Sequence, residues 1–278
     1  MDNKVYQIIT DRVISGLQQN FKWTKNWTSG LPKNFISNKE YRGVNLLLLS
    51  FNNYKSNLWL TFNQVKFKKG FVKKGEKSTP IIFWNFKEFE RDDGNGEKEK
   101  YTIPILRYYN VFNIEQTNLE IPKKETNKIE SIKECEIVIE EFKNKPEIKH
   151  GGSKAYYSPE KDFIQLPNRN DFKNSGSYYE VLFHELTHST GHDKRLSRDL
   201  NGNFFGDKEY SKEELTAELG SSFLSAKCEI DSKELKENSQ AYINSWIKVL
   251  GKNPKWIIEA SSKAQKSTDY ILNKEIKK

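Results

Sequence analysis

The chain has 278 residues, a net charge of +8 and a mean hydropathy of −0.83. This length predicts one large domain or two ordinary ones. No stretch reaches the roughly 18 to 20 apolar residues of a membrane-spanning helix, and no apolar core of a signal peptide follows the N-terminus. We therefore expect a cytoplasmic protein with no membrane partner. Its two cysteines, Cys135 and Cys228, are expected to be reduced thiols, because disulfides are rare in the cytosol.

The pattern of the first half predicts an α+β domain with a small antiparallel sheet. Residues 4–20 carry apolar side chains at helical spacing, and the apolar run 44–51 fits either a helix or a strand. Short β-like runs follow at 58–62, 80–84 and 108–112. Asp93-Gly94-Asn95-Gly96 between two of these runs is typical of a hairpin turn.

The second half is predicted to be mostly helical. A polar stretch at 118–134 separates the halves, which predicts a first domain at 1–125, a linker and helix start at 126–145, and a second domain at 146–278. Within the second half the pattern predicts a first helix at 130–143, a hairpin at 155–166, and helices at 177–190, 210–227 and 237–273, with Pro254 dividing the last.

The sequence His184-Glu185-Leu186-Thr187-His188 lies in the helix at 177–190. Histidines four residues apart share one helix face, so both imidazoles can bind one cation. A zinc ion with three protein ligands keeps a fourth position for water, whose pKa it lowers from about 16 to about 7. Glu185 is the predicted general base, which takes the water proton and passes it to the leaving amine. Zn²⁺ is the expected cofactor, although a His-His-Glu site also accepts Mn²⁺ or Co²⁺.

The ends of this helix have their own signals. Ser177 and Glu180 have capping-box spacing at its start. Gly191 is expected to end it in a left-handed conformation, so the third ligand must come from elsewhere. The two other histidines, His150 and His192, are expected to be structural or exposed to solvent.

A carboxylate is the best candidate for the third ligand, from Glu213-Glu214-Leu215-Thr216-Ala217-Glu218. In the gluzincin arrangement a Glu on a second helix binds the metal, and an acid one turn later holds the first histidine by its other ring nitrogen. We therefore predict Glu214 as ligand and Glu218 as the partner of His184. Glu213 and Glu218 remain alternative ligands, and Glu214 with Ser211 also has capping-box spacing.

Residues 21–87 contain 13 Lys and Arg but only two acids, interleaved with aromatic residues. Single-stranded DNA binds such surfaces, because cations follow the phosphates and aromatic rings stack on bases. Aromatic residues in strands are also usual core residues, and lysine runs are often a solvated face. The residues predicted to bind DNA are Trp23, Trp27, Tyr41, Arg42, Lys68, Lys69, Lys73, Lys74 and Lys77.

Taken together, the two halves resemble the ArdC-type antirestriction proteins of conjugative plasmids over nearly the whole chain. The shared motifs include Tyr41-Arg42-Gly43-Val44-Asn45, Trp59-Leu60-Thr61-Phe62-x-Gln64, Val72-x-Lys74-Gly75-Glu76-Lys77, His184-Glu185-Leu186-x-His188-x-x-Gly191-His192 and Glu213-Glu214-Leu215-x-Ala217-Glu218. The resemblance implies an N-terminal domain that binds single-stranded DNA and a C-terminal zincin-like metallopeptidase domain. It also implies protection of incoming plasmid DNA from restriction, and it places the metal site on His184, His188 and Glu214.

The sequence is therefore compatible with three functions. The leading hypothesis combines non-specific binding of single-stranded DNA with a zinc-dependent peptidase that acts on an unidentified protein or peptide. The alternative is a DNA-shielding protein whose metal site is structural or vestigial, for which Glu185 would be dispensable. A metal-dependent nuclease is the weakest hypothesis, because phosphoryl transfer favours clustered carboxylates and two metals about 3.5 to 4 Å apart.

Overall fold

A computed structural model describes residues 2–20, 31–52, 54–92, 98–122, 131–198, 200, 208–230 and 240–275. Helices and two small sheets are mixed along the chain, which confirms the α+β prediction. Trp23, Trp27 and the predicted turn at 93–96 lie outside the described residues. In the part that is described, no helix is both long and apolar enough to cross a membrane.

The N-terminal half is a four-stranded sheet with helices packed on it. Its helices are α1 (Asp2–Asn20), α2 (Val44–Ser50) and α3 (Phe62–Phe67). Its strands are β1 (Lys33–Asn34), β2 (Leu58–Thr61), β3 (Thr79–Asp92) and β4 (Lys98–Asn113), in the spatial order β1-β2-β4-β3. All pairings are antiparallel except that of β1 with β2. A short 3₁₀ helix, Ile114–Gln116, ends this half.

The ambiguous apolar run at 44–51 is a helix because it is surrounded by other elements. Val44 and residues 46–50 of α2 are all buried, and a helix that is apolar all round must lie inside the protein. Gly43 precedes it with φ = 57°, a backbone conformation that favours glycine. The backbone N–H of Gly43 also donates to the side chain of Gln265, far along the chain.

In its described residues, the C-terminal half contains five α-helices and a three-stranded sheet. Its helices are α4 (Ser131–Glu141), α5 (Ser175–Ser189), α6 (Lys208–Lys227), α7 (Gln240–Lys252) and α8 (Trp256–Ile271). Its strands are β5 (Glu147–His150), β6 (Tyr156–Ser158) and β7 (Phe163–Leu166), with β7 central, parallel to β5 and antiparallel to β6. The division of the last helical stretch near Pro254 is confirmed.

One hydrophobic core joins the two halves. The apolar face of α1 and the side chains of α2 pack in the same buried cluster as residues of α6, α7 and α8. Fully buried members of this cluster from the two halves are Ile9, Val13, Leu17, Leu48, Leu215, Leu219, Leu250, Ile257 and Ala264. The two halves therefore share one apolar core across the predicted boundary between residues 125 and 146. The division into two domains stays a prediction.

An ion pair also crosses between the halves. Arg42 pairs with Asp269 of α8, whose carboxylate is 3% exposed, whereas the side chain of Arg42 is 56% exposed. Gln265, one turn earlier on α8, donates to the same carboxylate at 3.2 Å. Because a buried carboxylate needs a partner, this contact fixes α8 against the loop before α2.

Candidate metal centre

The His184–His188 helix begins and ends differently from the sequence prediction. Asn174 is the N-cap residue, and its side-chain oxygen accepts from the Ser177 backbone N–H at 2.8 Å, so the capping box from Ser177 was wrong. Gly191 is not in a left-handed conformation. An added Cβ at Gly191 would lie 2.6 Å from the Leu200 side chain, so glycine is needed there for close packing.

The two histidines face Glu214, which projects from the neighbouring helix α6. The Nε2 atoms of His184 and His188 are 3.1 Å apart. A Glu214 oxygen lies 3.3 Å from Nε2 of His188, and the other lies 3.7 Å from Nε2 of His184. Ser211 lies inside α6 rather than at its start, so the capping-box alternative for Glu214 does not apply.

These three residues fit a divalent cation. Among the described residues they are the group of histidine, cysteine and acid side chains whose ligand atoms all lie within 4.8 Å of one another. Bonds of about 2.0 to 2.1 Å to a tetrahedral cation would place ligand atoms about 3.3 Å apart. The observed separations of 3.1 to 3.7 Å bracket that value. Two imidazole nitrogens and one carboxylate oxygen also form the donor set that zinc and similar metals accept.

Nearby carboxylates keep the two histidines basic. Burial lowers the pKa of His188, but its hydrogen bonds to Glu213 and Glu214 outweigh this and raise the pKa to about 10. Burial likewise opposes a charged His184, yet its contact with Glu214 leaves the net pKa raised. Burial raises the pKa of Glu214, but the two imidazoles together move it well below its usual range. The site therefore carries enough negative charge to balance a cation in place of these protons.

Glu185 lines the same cleft as the three candidate ligands. It follows His184 in α5, and its side chain is largely buried, with an 8% exposed residue surface. The cleft has a volume of about 380 Å³, and Ala155, Tyr156 and Tyr157 also line it. Glu185 therefore lines the same cleft as the candidate ligands, and its role as general base stays a prediction.

A buried arginine supports the metal centre, and the sequence reasoning missed it. Nδ1 of His188 lies 3.3 Å from Oε1 of Glu213. Arg198 in turn donates from two nitrogens to the two oxygens of Glu213, at 2.7 and 3.1 Å. Its remaining donors reach the Thr190 hydroxyl, the Ser267 hydroxyl and the Thr187 carbonyl at 2.6 to 2.8 Å. Glu213 is therefore placed to accept an Nδ1 proton of His188, and the tautomer that carries its proton there is the one whose Nε2 can bind a cation.

Glu218 lies in the predicted direction but at a longer distance. Its carboxylate is 4.0 Å from Nδ1 of His184, beyond the range of a direct hydrogen bond. Its predicted role as the partner of His184 stays a prediction. Of the other histidines, His150 contacts the Tyr178 hydroxyl at 3.0 Å, and His192 accepts from the Lys194 backbone at 3.1 Å.

A second arginine of the same loop fixes the cleft wall. Arg195 donates to Asp162, to the Tyr157 hydroxyl at 3.0 Å and to the Ser189 carbonyl at 2.6 Å. Tyr157 also donates to Asp162 at 2.8 Å. This network ties the β6–β7 hairpin to the end of α5, whereas the network of Arg198 leads to Glu213.

We expect Arg198→Met to weaken metal binding by about 10- to 100-fold, the usual cost of removing an outer partner of a metal ligand. Without the guanidinium, buried Glu213 loses its fixed orientation and no longer holds His188. Arg195→Met is the matched control, since it removes an equally buried arginine three residues away. Both variants should lose stability, but only Arg198→Met should weaken binding of Mn²⁺ or Zn²⁺ in competition with a chromophoric chelator. Equal affinities in the two variants would contradict this role.

The lysines predicted to bind DNA lie together around α3 and the loop after it. Lys68, Lys69, Lys73, Lys74 and Lys77 are all exposed. Nζ of Lys73 donates to the Glu115 carbonyl at 2.9 Å, so part of its hydrogen-bonding capacity is used within the protein.

Unlike most of these lysines, Tyr41 and Arg42 are held by contacts within the protein. Tyr41 is half-buried and packs against two apolar clusters, and burial raises the pKa of its hydroxyl. Arg42 is engaged by Asp269. Their roles in DNA binding stay predictions.

The aromatic residues of the first half divide into core and surface groups. Trp59 is fully buried, as expected for a strand residue. The exposed group comprises Phe62, Phe67, Phe71, Phe83, Trp84, Phe86, Phe89, Tyr101, Tyr108 and Tyr109. Sequence patterns do not separate these groups, because both occur in runs of similar composition.

Two family models match the chain. The "N-terminal domain of anti-restriction factor ArdC" matches residues 3–112, and "Zincin-like metallopeptidase" matches residues 135–263. Two relatives named DNA primase TraC, both from Escherichia coli, are 32% and 33% identical over 96% of this chain. The chain spans only 27% and 20% of their lengths. The "Uncharacterized protein y4eC" of Sinorhizobium fredii (strain NBRC 101917 / NGR234) is 31% identical over 96% of this chain and 91% of its own.

Solved structures agree with these matches. The Mn(II)-bound crystal structure of the antirestriction ArdC protein from plasmid R388 is 30% identical, with a TM-score of 0.72, and covers 96% of this chain and 97% of its own. The metal-free structure of that protein is 29% identical, with a TM-score of 0.71 and coverage of 98% and 99%. The chain therefore belongs to the ArdC family of antirestriction proteins, in which an ArdC N-terminal domain precedes a zincin-like metallopeptidase domain.

Proposed function

We propose that this protein is a divalent-metal-dependent peptidase that also binds single-stranded DNA and protects incoming plasmid DNA from restriction. The observation that carries the peptidase is the grouping of His184, His188 and Glu214 beside Glu185 in one cleft. The Mn(II)-bound ArdC structure supports a divalent cation at this site, with Zn²⁺, Mn²⁺ and Co²⁺ all compatible with the donor set.

The residues of the cleft have distinct roles in this proposal. His184, His188 and Glu214 hold the cation, which when bound acts as a Lewis acid that polarises a carbonyl and acidifies water. Glu185 takes the proton from the attacking water and delivers it to the leaving amine. Glu213, fixed by Arg198, accepts the Nδ1 proton of His188 and orients its ring, so that Nε2 faces the position that the cation would take in place of a proton.

The wall of the cleft suits an extended peptide. Strand β6 is at the edge of its sheet and pairs only with β7 among the described strands. An edge strand offers unpaired backbone N–H and C=O groups, to which an extended chain can add as a further strand. Because Tyr156 and Tyr157 of β6 line the cleft, a peptide bound in this way would pass close to Glu185. We propose an extended segment of a protein as the substrate.

The lysine-rich surface around α3 supports the DNA-binding part of the proposal. Its five exposed lysines have as neighbours in the chain Phe67 and Phe71, which are 76% and 61% exposed. Cations that follow phosphates and rings that stack on bases need no particular sequence, so the binding is proposed to be non-specific. We do not propose primase activity for this chain, because it spans only 27% and 20% of the two relatives named as primases.

The second candidate function is a DNA-shielding protein with a structural or vestigial metal site. A structural site needs its ligands but has no use for a general base, whereas a peptidase needs both. Glu185 therefore distinguishes the two functions. The antirestriction function of the ArdC family is compatible with either candidate, whereas the match to the zincin-like metallopeptidase model favours the peptidase.

We expect Glu185→Gln to lower peptidase activity by about 10²- to 10⁴-fold without loss of bound metal, because glutamine cannot accept the water proton. Since the substrate is unidentified, the probe is a library of proteome-derived peptides, with new termini read by mass spectrometry. Metal-loaded wild type, chelator-treated wild type and Glu185→Gln are compared in one experiment. Transfer of a plasmid into hosts with and without a restriction enzyme is the second readout.

The outcomes separate the two functions. Cleavage by wild type alone, together with loss of protection in Glu185→Gln, would support a peptidase that acts in antirestriction. No cleavage by metal-loaded wild type, with full protection by Glu185→Gln, would overturn the peptidase and favour DNA shielding. The metal content of each preparation is also measured. It shows whether metal-loaded wild type and Glu185→Gln both contain the cation and whether chelator-treated wild type has lost it.

A further inference from the structure

Strands β3 and β4 extend well beyond the sheet to which they belong. They pair without interruption from Thr79–Val111 to Asp92–Lys98. Strand β2 covers β4 only between Val111 and Asn113. Among the described strands, the rest of the hairpin is therefore a two-stranded ribbon with no further strand at either edge.

This ribbon carries more exposed aromatic surface than a solvated hairpin needs. Phe86 and Phe83 are 66% and 58% exposed, and five other large apolar residues of the ribbon are between 39% and 46% exposed. An isolated two-stranded hairpin is marginally stable in water, and contiguous exposed apolar surface usually marks a binding site. Trp84, at 38% exposed, adds to this surface.

The two faces of the ribbon differ in charge. Directly paired residues share a face, and the face alternates along each strand. One face, here named the basic aromatic face, presents two exposed cations with aromatic residues and Ile103, and no acid within 83–89 and 101–109: Phe83, Lys87, Phe89, Tyr101, Ile103, Arg107 and Tyr109. Beyond these residues, Arg91 and Glu99 pair in the same register. The opposite face, here named the acidic aromatic face, combines its rings with two acids and one cation: Trp84, Phe86, Glu88, Glu90, Lys100 and Tyr108.

The rings of the basic aromatic face are arranged in two pairs. Phe83 and Tyr109 contact edge to face with centroids 6.3 Å apart, and Phe89 and Tyr101 are stacked at 5.7 Å. The six residue steps from Phe83 to Phe89 span about 20 Å of strand. Lys87 lies between the two pairs on this face, and Arg107 pairs with Phe83. A strand of nucleic acid laid along the face would meet rings at both ends and cations between and beside them.

We propose that the basic aromatic face of the ribbon is a stacking platform for single-stranded DNA. This inference rests on the proposed DNA-binding function and assigns it a surface other than the lysines around α3. Positive charge favours a polyanion on this face, whereas Glu88 and Glu90 repel phosphates from the opposite face. The rings stack on bases, and Lys87 and Arg107 contact the phosphates between them.

The test compares the two faces in the full-length protein. Phe83→Ser/Phe89→Ser/Tyr101→Ser alters the basic aromatic face, and Trp84→Ser/Phe86→Ser/Tyr108→Ser alters the acidic aromatic face by the same number of rings. Binding of a fluorescent 20-nucleotide oligothymidine is measured by anisotropy. The first variant should bind at least about 100-fold more weakly than wild type, since each of the three lost stacks contributes about five-fold or more. The second should differ from wild type by less than about three-fold. Circular dichroism and melting temperature check that both remain folded.

A charge variant provides an independent readout. Lys87→Gln/Arg107→Gln should reduce the slope of log affinity against log salt by about 1.4, because each phosphate contact on a single strand contributes about 0.7. A variant that merely disturbed the fold would change affinity without this defined change of slope. An unchanged slope would contradict the phosphate contacts.

Each remaining outcome overturns a different statement. Wild type without salt-sensitive binding to the oligonucleotide would overturn the proposed DNA-binding function itself. Strong wild-type binding that the two ring variants weaken equally, or not at all, would overturn the platform alone and leave the α3 lysines as the DNA surface. If the basic-face variant instead changed the association state of the free protein, the occupant would be a second copy of the chain, and the inference would fail.

Discussion

Replacing Glu214 by alanine is expected to abolish stable cation binding, whereas Glu218→Ala should leave about one cation per chain. Glu214 contacts the ring nitrogens of both His184 and His188 at 3.3 to 3.7 Å, as a shared ligand must. Glu218 reaches only the outer nitrogen of His184, at 4.0 Å. Loss of a direct ligand should exceed the roughly 10- to 100-fold loss of affinity that accompanies loss of an outer partner.

The measurement is metal content by mass spectrometry after loading with Zn²⁺ or Mn²⁺ and removal of excess metal. Glu213→Gln is a useful third variant, because it keeps the shape of a side chain that holds His188. We expect an intermediate loss of affinity for it. Metal retained in Glu214→Ala but lost in Glu218→Ala would exchange the two assigned roles. A wild type that binds no cation would remove the basis of the peptidase proposal.

Replacing Gly220 by alanine is expected to destabilise the protein by about 1 to 3 kcal/mol, the usual cost of overpacking a close contact. An added Cβ would lie 2.5 Å from Cγ2 and Oγ1 of Thr187. Thr187 is fully buried, β-branched and hydrogen-bonded to the Phe183 carbonyl at 2.7 Å, so it has little freedom to move. The contact lies between α5 and α6, which carry the candidate ligands, so metal affinity should fall as well.

Two further variants make this prediction specific. Gly251→Ala is the matched control, because an added Cβ on this glycine of α7 meets no atom within 4 Å. It should stabilise the helix by up to about 1 kcal/mol, the usual difference between glycine and alanine. Thr187→Ala should partly rescue Gly220→Ala by removing the clashing atoms, which a double-mutant cycle detects as a coupling energy. Denaturant unfolding measures the four proteins of the cycle and Gly251→Ala. Additive effects of Thr187→Ala and Gly220→Ala would show that the helices do not meet as described.

The spacing of residues in the sequence was sufficient to predict those parts of the site that lie on a single helix. The four-residue interval between His184 and His188 predicts a shared helix face, and the structure brings their Nε2 atoms to 3.1 Å. The helix ends were predicted less well. Asn174 and Ser177 both carry capping side chains, and which of them caps depends on where the preceding loop turns. Gly191 was expected to adopt a positive φ, whereas its role is to admit Leu200.

Contacts between distant segments could not be read from the sequence. Glu213 was considered only as a ligand, because its position beside Nδ1 of His188 depends on the angle at which α6 crosses α5. Arg198 follows α5 in a loop with no helical periodicity, so no pattern relates it to Glu213. The same limit applies to the aromatic residues. Trp59 and Trp84 both occur in β-like runs, but only the position of the ribbon outside the sheet leaves Trp84 exposed.

The core that joins α1 and α2 to α6, α7 and α8 limits how the gene for this protein can be divided by recombination. A gene fragment encoding either half alone would give a product with a large apolar face unprotected from water. Recombination that keeps the product soluble must therefore transfer both halves together, as a single cassette. The two TraC proteins match this chain over 96% of its length, although it makes up no more than 27% of theirs. In these proteins the segment that matches therefore corresponds to nearly the whole of this chain, as expected for halves that share one core.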